Sequence, residues 1–402
     1  STADAIFLNN TIATNLRDMQ VNNSTTSHIN ATMVNGLILN GIDFSNSGFH
    51  GINGSFVTTL NMTSCTLDQS GNAANEHGLR IINLLGTSNI TSSDFTRSAT
   101  IHAFIQNTSA SVPAPGVPAD IITIDDCSFS MPVVGTFGDN VSVEAGAGAN
   151  MRLILDDAVG INTFAGGQDG VQAVTATGGT LDVIIDNIDV QTTTGTGVNI
   201  GGFNASSLTF DVRNIATLNT GSIGINTTSI GGANMSGVID NNVINGSTAG
   251  QGIQVITEGN GNITATVSNN DIDNINQEHG IRVQARAGTG TINITINNND
   301  INNAAAPFPL EGINVESGSS AGGDTNTICL NMFSNTSVAN GQEGYRLRQR
   351  IGTTFNLQDF VGNGTVAGDI TSWINTTKSN TGTTQILIGS SFTASAGACP
   401  TP

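Results

Sequence analysis

Hydrolysis of a glycosidic bond needs two or three carboxylates converging on one bond. Elimination at a uronate needs an Arg or Lys base beside carboxylates that hold Ca²⁺. The chain offers Asp125-Asp126, Asp156-Asp157, and Asp182 with Asp186 for such work. Neighbouring residues of a strand face opposite ways, so neither adjacent pair can share one substrate atom. His50, His77 and His279 each precede a glycine, which suits a turn better than a catalytic dyad. One Trp and one Tyr leave little aromatic surface on which a sugar could stack. Asp240, Asp271 and Asp300 would share a column able to hold surface Ca²⁺, the one cofactor the residue types admit. Cys-x-x-Cys, His-x-x-x-His and the calcium-binding Gly-Gly-x-Gly-x-Asp nonapeptide are missing from the sequence. The expectation is a protein that is not an enzyme. The alternative is a β-helix that binds or cleaves carbohydrate.

Two short phrases alternate down the chain and must position these residues. The first is an apolar alternation closed by Asn or Asp and one more apolar residue, as in Val238-Ile239-Asp240-Asn241-Asn242-Val243-Ile244 or Ile296-Asn297-Asn298-Asn299-Asp300-Ile301. The second is Gly-apolar-x-apolar: Gly78-Leu79-Arg80-Ile81, Gly252-Ile253-Gln254-Val255, Gly280-Ile281-Arg282-Val283, Gly312-Ile313-Asn314-Val315 and Gly344-Tyr345-Arg346-Leu347. Anchoring each turn on Phe44, Leu67, Phe95, Phe129, Ile161, Val190, Leu218, Ile244, Ile272, Ile301 and Phe333 gives a period of about 23 to 34 residues, the repeat of a solenoid. Period-2 segments rich in Ile, Val and Thr, bounded by Asn and Gly, are strand and turn chemistry. The fold class is therefore all-β, a right-handed parallel β-helix. Roughly 12 coils at about 4.8 Å each make a rod on the order of 55–60 Å long. Stacked Asn side chains would bond from coil to coil.

The coils are expected to fill one domain, with residues 1–355 as β-helix and 356–402 as cap and tail. The Pro-rich stretch 111–118 reads as a projecting loop. Residues 366–378 carry apolar side chains at helical spacing around Trp373, with Asp369 as N-cap, and would close the last coil. The first phrase, Ile6-Phe7-Leu8-Asn9-Asn10, reads as a coil already in progress. Its open end would stack on another subunit.

Aligned second phrases place Gln254, Arg282, Asn314 and Arg346 in one outward column. Gln284, Glu316 and Arg348 fall in the next, and Arg286, Gly318 and Arg350 in the third. Glu316 should pair with Arg348, and Gly318 leaves room for its two arginine neighbours. Arg282, Arg286, Arg346, Arg348 and Arg350 are the candidate contact for an acidic partner, either another subunit or an anionic glycan. Local pairing is the competing use. The net charge of −19 excludes a nucleic-acid partner, and no apolar run is long enough to span a membrane. Asn-x-Ser/Thr triplets are more frequent than composition alone gives. Asn53, Asn61, Asn89, Asn140, Asn204, Asn262, Asn293 and Asn363 are glycosylation candidates.

Cys65 and Cys127 take the same place two coils apart, too far for a disulfide, and are expected to be free and buried. A Cys329–Cys399 bridge would clip the tail to the last coils and implies an oxidising compartment. The closing segment holds Thr327-Ile328-Cys329-Leu330, then Gly344-Tyr345-Arg346-Leu347-Arg348-Gln349-Arg350, then Cys399-Pro400-Thr401-Pro402. It resembles the end of the β-helical region in bacterial secreted, adhesin-like "β-strand repeat" surface proteins with a pectin-lyase-like fold. That resemblance implies export and a structural or adhesive role at the cell surface or in a matrix, as a filament subunit. It implies no catalytic residue.

Overall fold

The computed structural model describes residues 3–108, 120–131, 138–146, 148–156, 160–303, 310–339 and 342–402. The stretch 111–118, read above as a loop, and Asp157 lie outside these residues. Backbone proximity divides the chain into two compact units, Ser1–Asn199 and Ile200–Pro402. Each is built as a right-handed parallel β-helix, as the period predicts.

A coil is made of two longer strands and a short one, joined by bends, and each strand pairs in parallel with its equivalent one coil later. In the first unit Val141–Ala145 pairs with Val171–Thr175, and Asn150–Asp156 with Thr180–Asp186. In the second, Ile253–Glu258 pairs with Ile281–Arg286, and Asn262–Ser268 with Thr291–Asn297. Period-2 alternation sends every second residue inward, where Leu67, Phe95, Phe129, Val190, Ile244, Ile272 and Ile301 are buried.

The bend before each short strand explains why Asn recurs. Asn214, Asn241, Asn269 and Asn298 take φ of 53°, 55°, 55° and 55°, a left-handed conformation that Asn tolerates better than other non-glycine residues. The residue after each one turns inward and lies two positions before the buried residue of the short strand. Three expected anchors break this rule and are corrected. Ile161 is 51 % exposed, because Asn162 is the inward residue two before the short strand's buried position, and Phe164 takes that position opposite Phe129. Thr217 rather than Leu218 faces Ile244. Ser337 rather than Phe333 faces Ile301, and Phe333 lies beside Asn297 on the previous strand.

In the first unit the inward column carries stacked rings. Phe95 and Phe129 lie 4.8 Å apart with planes 14° from parallel, and Phe129 and Phe164 are 5.0 Å apart and 1° from parallel. His28 and His102 are buried close by, against Phe44 and against Phe95 and Phe129. Burial pushes His28 down to about 4 and His102 down to about 3, so both rings are neutral.

In the second unit the residues that follow the bends form a buried amide ladder. The Nδ2 of Asn242, Asn270, Asn299 and Asn335 each donates to the Oδ1 of the next Asn, ending on Asn380, at 2.8, 2.8, 2.9 and 2.8 Å. Each Oδ1 also accepts the backbone N–H of the preceding rung. The equivalent places of the first unit hold Cys65, Ser93, Cys127 and Asn162, linked more sparsely by Cys65 N–H to Ser93 Oγ and Cys127 N–H to Asn162 Oδ1.

The C-terminal segment holds a short α-helix, Ala367–Ser372, running into a π-turn, Trp373–Thr377. Ile370, Trp373 and Ile374 are buried, as a cap requires. Asp369 is not the N-cap: Val366 holds that place without a side-chain bond, and the Asp369 carboxylate accepts the N–H of Asn363. After this helix the chain adds strand Thr384–Ile388 to Tyr345–Gln349, and Thr393–Ala394 to Thr354–Leu357. Cys329 and Cys399 are joined, with Cα atoms 5.6 Å apart, while Cys65 and Cys127 are free and buried.

Candidate functional site

The second unit carries the arginine columns. The strand register places Arg282 beside Asn314 and Asn314 beside Arg346, and Gln284 beside Glu316 and Glu316 beside Arg348. Each cation but one meets a carboxylate one coil away. Arg286 Nε donates to Glu258 at 2.7 Å, Arg346 to Glu311 at 2.7 Å and Arg350 Nε to Glu316 at 2.6 Å, with Arg348 at 3.6 Å from the same Glu316 oxygen. Arg282 instead donates to Gln284 at 2.9 Å. Gly318 is required here: at φ +90° a Cβ would stand 2.7 Å from the Cβ of Arg350.

Behind this face lies a buried polar knot that the sequence reading treated as a turn. His279 does occupy the turn before Gly280, but its Nδ1 lies 3.1 Å from Glu311 and its Nε2 3.0 Å from the Asn314 amide. Burial raises the Glu311 pKa, but bonds from His279, its own backbone and Arg346 outweigh it and bring the group to about 2. Glu311 Oε1 thus accepts from Arg346, and Oε2 faces His279 Nδ1.

The sequence-selected carboxylates are spread out. Asp182 accepts from Arg152 Nε at 2.6 Å, and Asp126 from the Ser92 hydroxyl at 2.8 Å. Asp125 and Asp156 are partners on adjacent coils rather than members of one cleft. The proposed Ca²⁺ column is corrected: Asp271 and Asp300 are register partners, but Asp240 faces Ser268 and accepts from Ser268 and Asn269. Among the described residues no group of three or more His, Cys, Asp or Glu stands ready for a metal ion. A different acidic pair emerges at Asp139 and Asp169, both buried. Burial and the neighbouring Asp169 raise Asp139 to about 7.

Of the glycosylation candidates, Asn204 and Asn363 are exposed, and Asn53, Asn61, Asn89, Asn262 and Asn293 are half-buried. Asn140 is fully buried and donates to the Gly166 carbonyl, so the folded chain cannot present it for modification.

The first unit holds a groove that the residue count concealed. Phe49, His50, Asn53, Asn75, His77, Arg80, Phe104 and Gln106 line a hollow of about 440 Å³. The ring centroids of Phe49 and His50 are 4.0 Å apart, those of His50 and His77 5.3 Å, and those of His77 and Phe104 5.1 Å. The histidines do serve turns: His50 Nδ1 accepts the His77 N–H at 2.9 Å and His77 Nδ1 the Ile101 N–H at 3.3 Å. Burial, helped by nearby positive charge, lowers His50 to about 3 and His77 to about 4. Both rings are neutral, with the proton on Nε2 because Nδ1 is an acceptor. His and Phe rings, rather than Trp and Tyr, form the aromatic strip of this groove. Part of this was signalled, since 50 and 77 are one coil step apart, whereas Phe104 is the register partner of Arg80.

No protein-family model and no curated protein matches this sequence. Among solved structures it is similar to the Dettilon tailspike protein gp208, at 14 % identity and a TM-score of 0.34, over 79 % of this chain and 60 % of that one. It is also similar to the A-module of the Azotobacter vinelandii mannuronan C-5 epimerase AlgE4, at 13 % identity and a TM-score of 0.27, over 78 % of this chain and 91 % of that one. The A-module of AlgE6 follows at 14 % and 0.23, over 97 % and 90 %. The chain thus spans about 60 % of the tailspike's length.

Proposed function

We propose that the chain is a non-enzymatic structural or adhesive β-helix of the extracellular space, serving as a subunit of a surface or matrix filament. The observation that carries this reading is the density of coil-to-coil side-chain links. The amide ladder runs through five asparagines, the Arg–carboxylate pairs bridge successive coils, and a disulfide fastens the tail. Such links oppose local opening, which is what a load-bearing, protease-facing scaffold requires. The disulfide suits an oxidising compartment. Among the described residues no helix is long and apolar enough to cross a membrane.

Stacking is supported by a step in burial. Ile6, Leu8, Leu16 and Met19 point inward yet are only half-buried, whereas their partners Ile29, Ala31, Leu39 and Ile42 are fully buried. A second copy, or a preceding stretch of chain, laid against the first coil would remove that apolar surface from water. Electron microscopy and sedimentation of the purified chain test this: concentration-dependent fibres are expected. Monomers at every concentration, together with turnover of any member of a polysaccharide panel, would overturn it. A carbohydrate-binding or carbohydrate-cleaving role is the second reading, favoured by the groove of Phe49, His77 and Phe104.

A further inference from the structure

We propose that the groove of the first unit binds an acidic saccharide chain, with Arg80 taking the sugar carboxylate. The site goes beyond the scaffold role and stands whether or not the chain assembles. Its walls meet the two needs of a uronate-type ligand. Sugar rings are apolar on their C–H faces, and rims of aromatic rings accept them. His50, His77 and Phe104 are stacked on one another, so they give the groove their edges. Phe49 is tilted 52° from His50 and 42 % exposed, and so presents a face. The neutral histidines supply Nε2–H donors, and Asn53, Asn75 and Gln106 supply amides for hydroxyl groups.

The charge is specific. Every other arginine described for the second unit's face except Arg282 is spent on a carboxylate, but Arg80 donates only to the neutral Asn53 Oδ1, at 3.0 Å. Among the described residues it has no carboxylate partner. The acidic groups close by in sequence and register are engaged elsewhere: Glu76 accepts the N–H groups of Asn72 and Ala73, and Glu144 accepts from Gln106. Arg80 is half-buried, and burial lowers its pKa, a desolvation cost that a bound anion would offset. A guanidinium fork matches a carboxylate in a two-pronged bond, which a neutral hydroxyl cannot reproduce. The overall charge of −19 does not forbid the ligand, since charges farther than about 8 Å are largely screened at physiological salt.

The test is fluorescence polarisation with labelled oligogalacturonate, its methyl ester, a neutral maltooligosaccharide and poly-glutamate, on the full chain. Oligogalacturonate is expected to bind, more weakly as salt rises. Esterification and Arg80→Gln should each weaken it at least tenfold. Phe104→Ala should weaken it severalfold, while Arg152→Gln, on another face charge, should leave it unchanged. Circular dichroism and a melting curve establish that each variant is folded. Should Arg80→Gln fail to fold, Arg80→Lys takes its place, with a loss of at least threefold expected. Three outcomes overturn the proposal: no binding of oligogalacturonate, equal binding by the Arg80 variant or the methyl ester, or equal binding of poly-glutamate, which has charge and no sugar ring. Fibres without binding would leave the scaffold reading standing and remove this one, and binding without fibres would do the reverse.

Discussion

The two units use one coil geometry with different interiors. At the bend before each short strand, the second unit repeats Asn from 242 to 380, while the first holds Cys65, Ser93, Cys127 and Asn162 in the same role. In the inward column beside that bend, the first unit stacks Phe95, Phe129 and Phe164, and the second has Ile244, Ile272 and Ile301. One unit draws cohesion from ring packing and the other from a polar ladder closed by a disulfide. Coil geometry is therefore set by the bend conformation, and the material that fills it is exchangeable.

The largest effect should come from breaking the ring stack. Phe129→Ala removes the middle ring of three and should destabilise the first unit by about 3–5 kcal/mol, read by denaturant unfolding followed with hydrogen exchange over residues 1–199. An equal loss of protection over residues 200–402 would show that the units do not differ as described. Next is Asn299→Ala, at a ladder rung. It strands the backbone N–H of Asn270, leaves the Asn270 side-chain amide with only the Ile239 carbonyl as acceptor and deprives Asn335 Oδ1 of a donor, for about 2–3 kcal/mol in the second unit. Ser93→Ala, its counterpart in the first unit, loses the bond from Cys65 N–H and the donation to the Thr91 carbonyl, and should cost about 1–2 kcal/mol.

Acid should separate the units without mutation. His28, His50, His77 and His102 are held at about 4, 3, 4 and 3, below the 6.5 of the unfolded chain. Their contribution to stability is present above pH 6.5 and is lost as pH falls toward 4, because the unfolded state then binds more protons. Asp139, raised to about 7, and Asp169, also raised, oppose this by favouring the fold as they take up protons, but four histidines outweigh two carboxyls. In the second unit Glu311, lowered to about 2, keeps its contribution until pH drops below about 4.5. Between pH 6.5 and 4.5, hydrogen exchange should accelerate in residues 1–199 and not in 200–402. A uniform change would break the contrast. The smallest effect is expected of Arg152→Ala: its pair with Asp182 is about one third exposed and should be worth less than about 1 kcal/mol by thermal melting.

The fold was legible because period-2 alternation and the Gly-apolar-x-apolar phrase survive any change of filling. Anchors failed where hydrophobicity was used in place of the bend. Ile161 and Phe333 are large apolar residues off the column, while Thr217 and Ser337 are small polar residues on it. Counting two residues on from the inward residue that follows each bend would have found all of them. The groove was missed for a related reason: a tally of Trp and Tyr does not register rings brought together by the coil period. The Glu311–His279–Arg346 knot joins positions 32 to 35 residues apart. The repeated phrase begins at the glycine, so His279 and Glu311, each one residue before it, fall outside the columns that the phrase defines.

The amide ladder also bears on how such a chain can change length over generations. Each rung reaches its partner 28 or 29 residues away through the middle coils. Removing residues 243–270 would join Asn242 to Asp271-Ile272-Asp273, the same bend followed by the same inward isoleucine, and would leave Asn242 to bond Asn299. A recombination event that drops or copies one period therefore yields a register already satisfied at both joints. The ladder makes the coil a heritable module, so lengthening or shortening by whole periods asks for no compensating substitution.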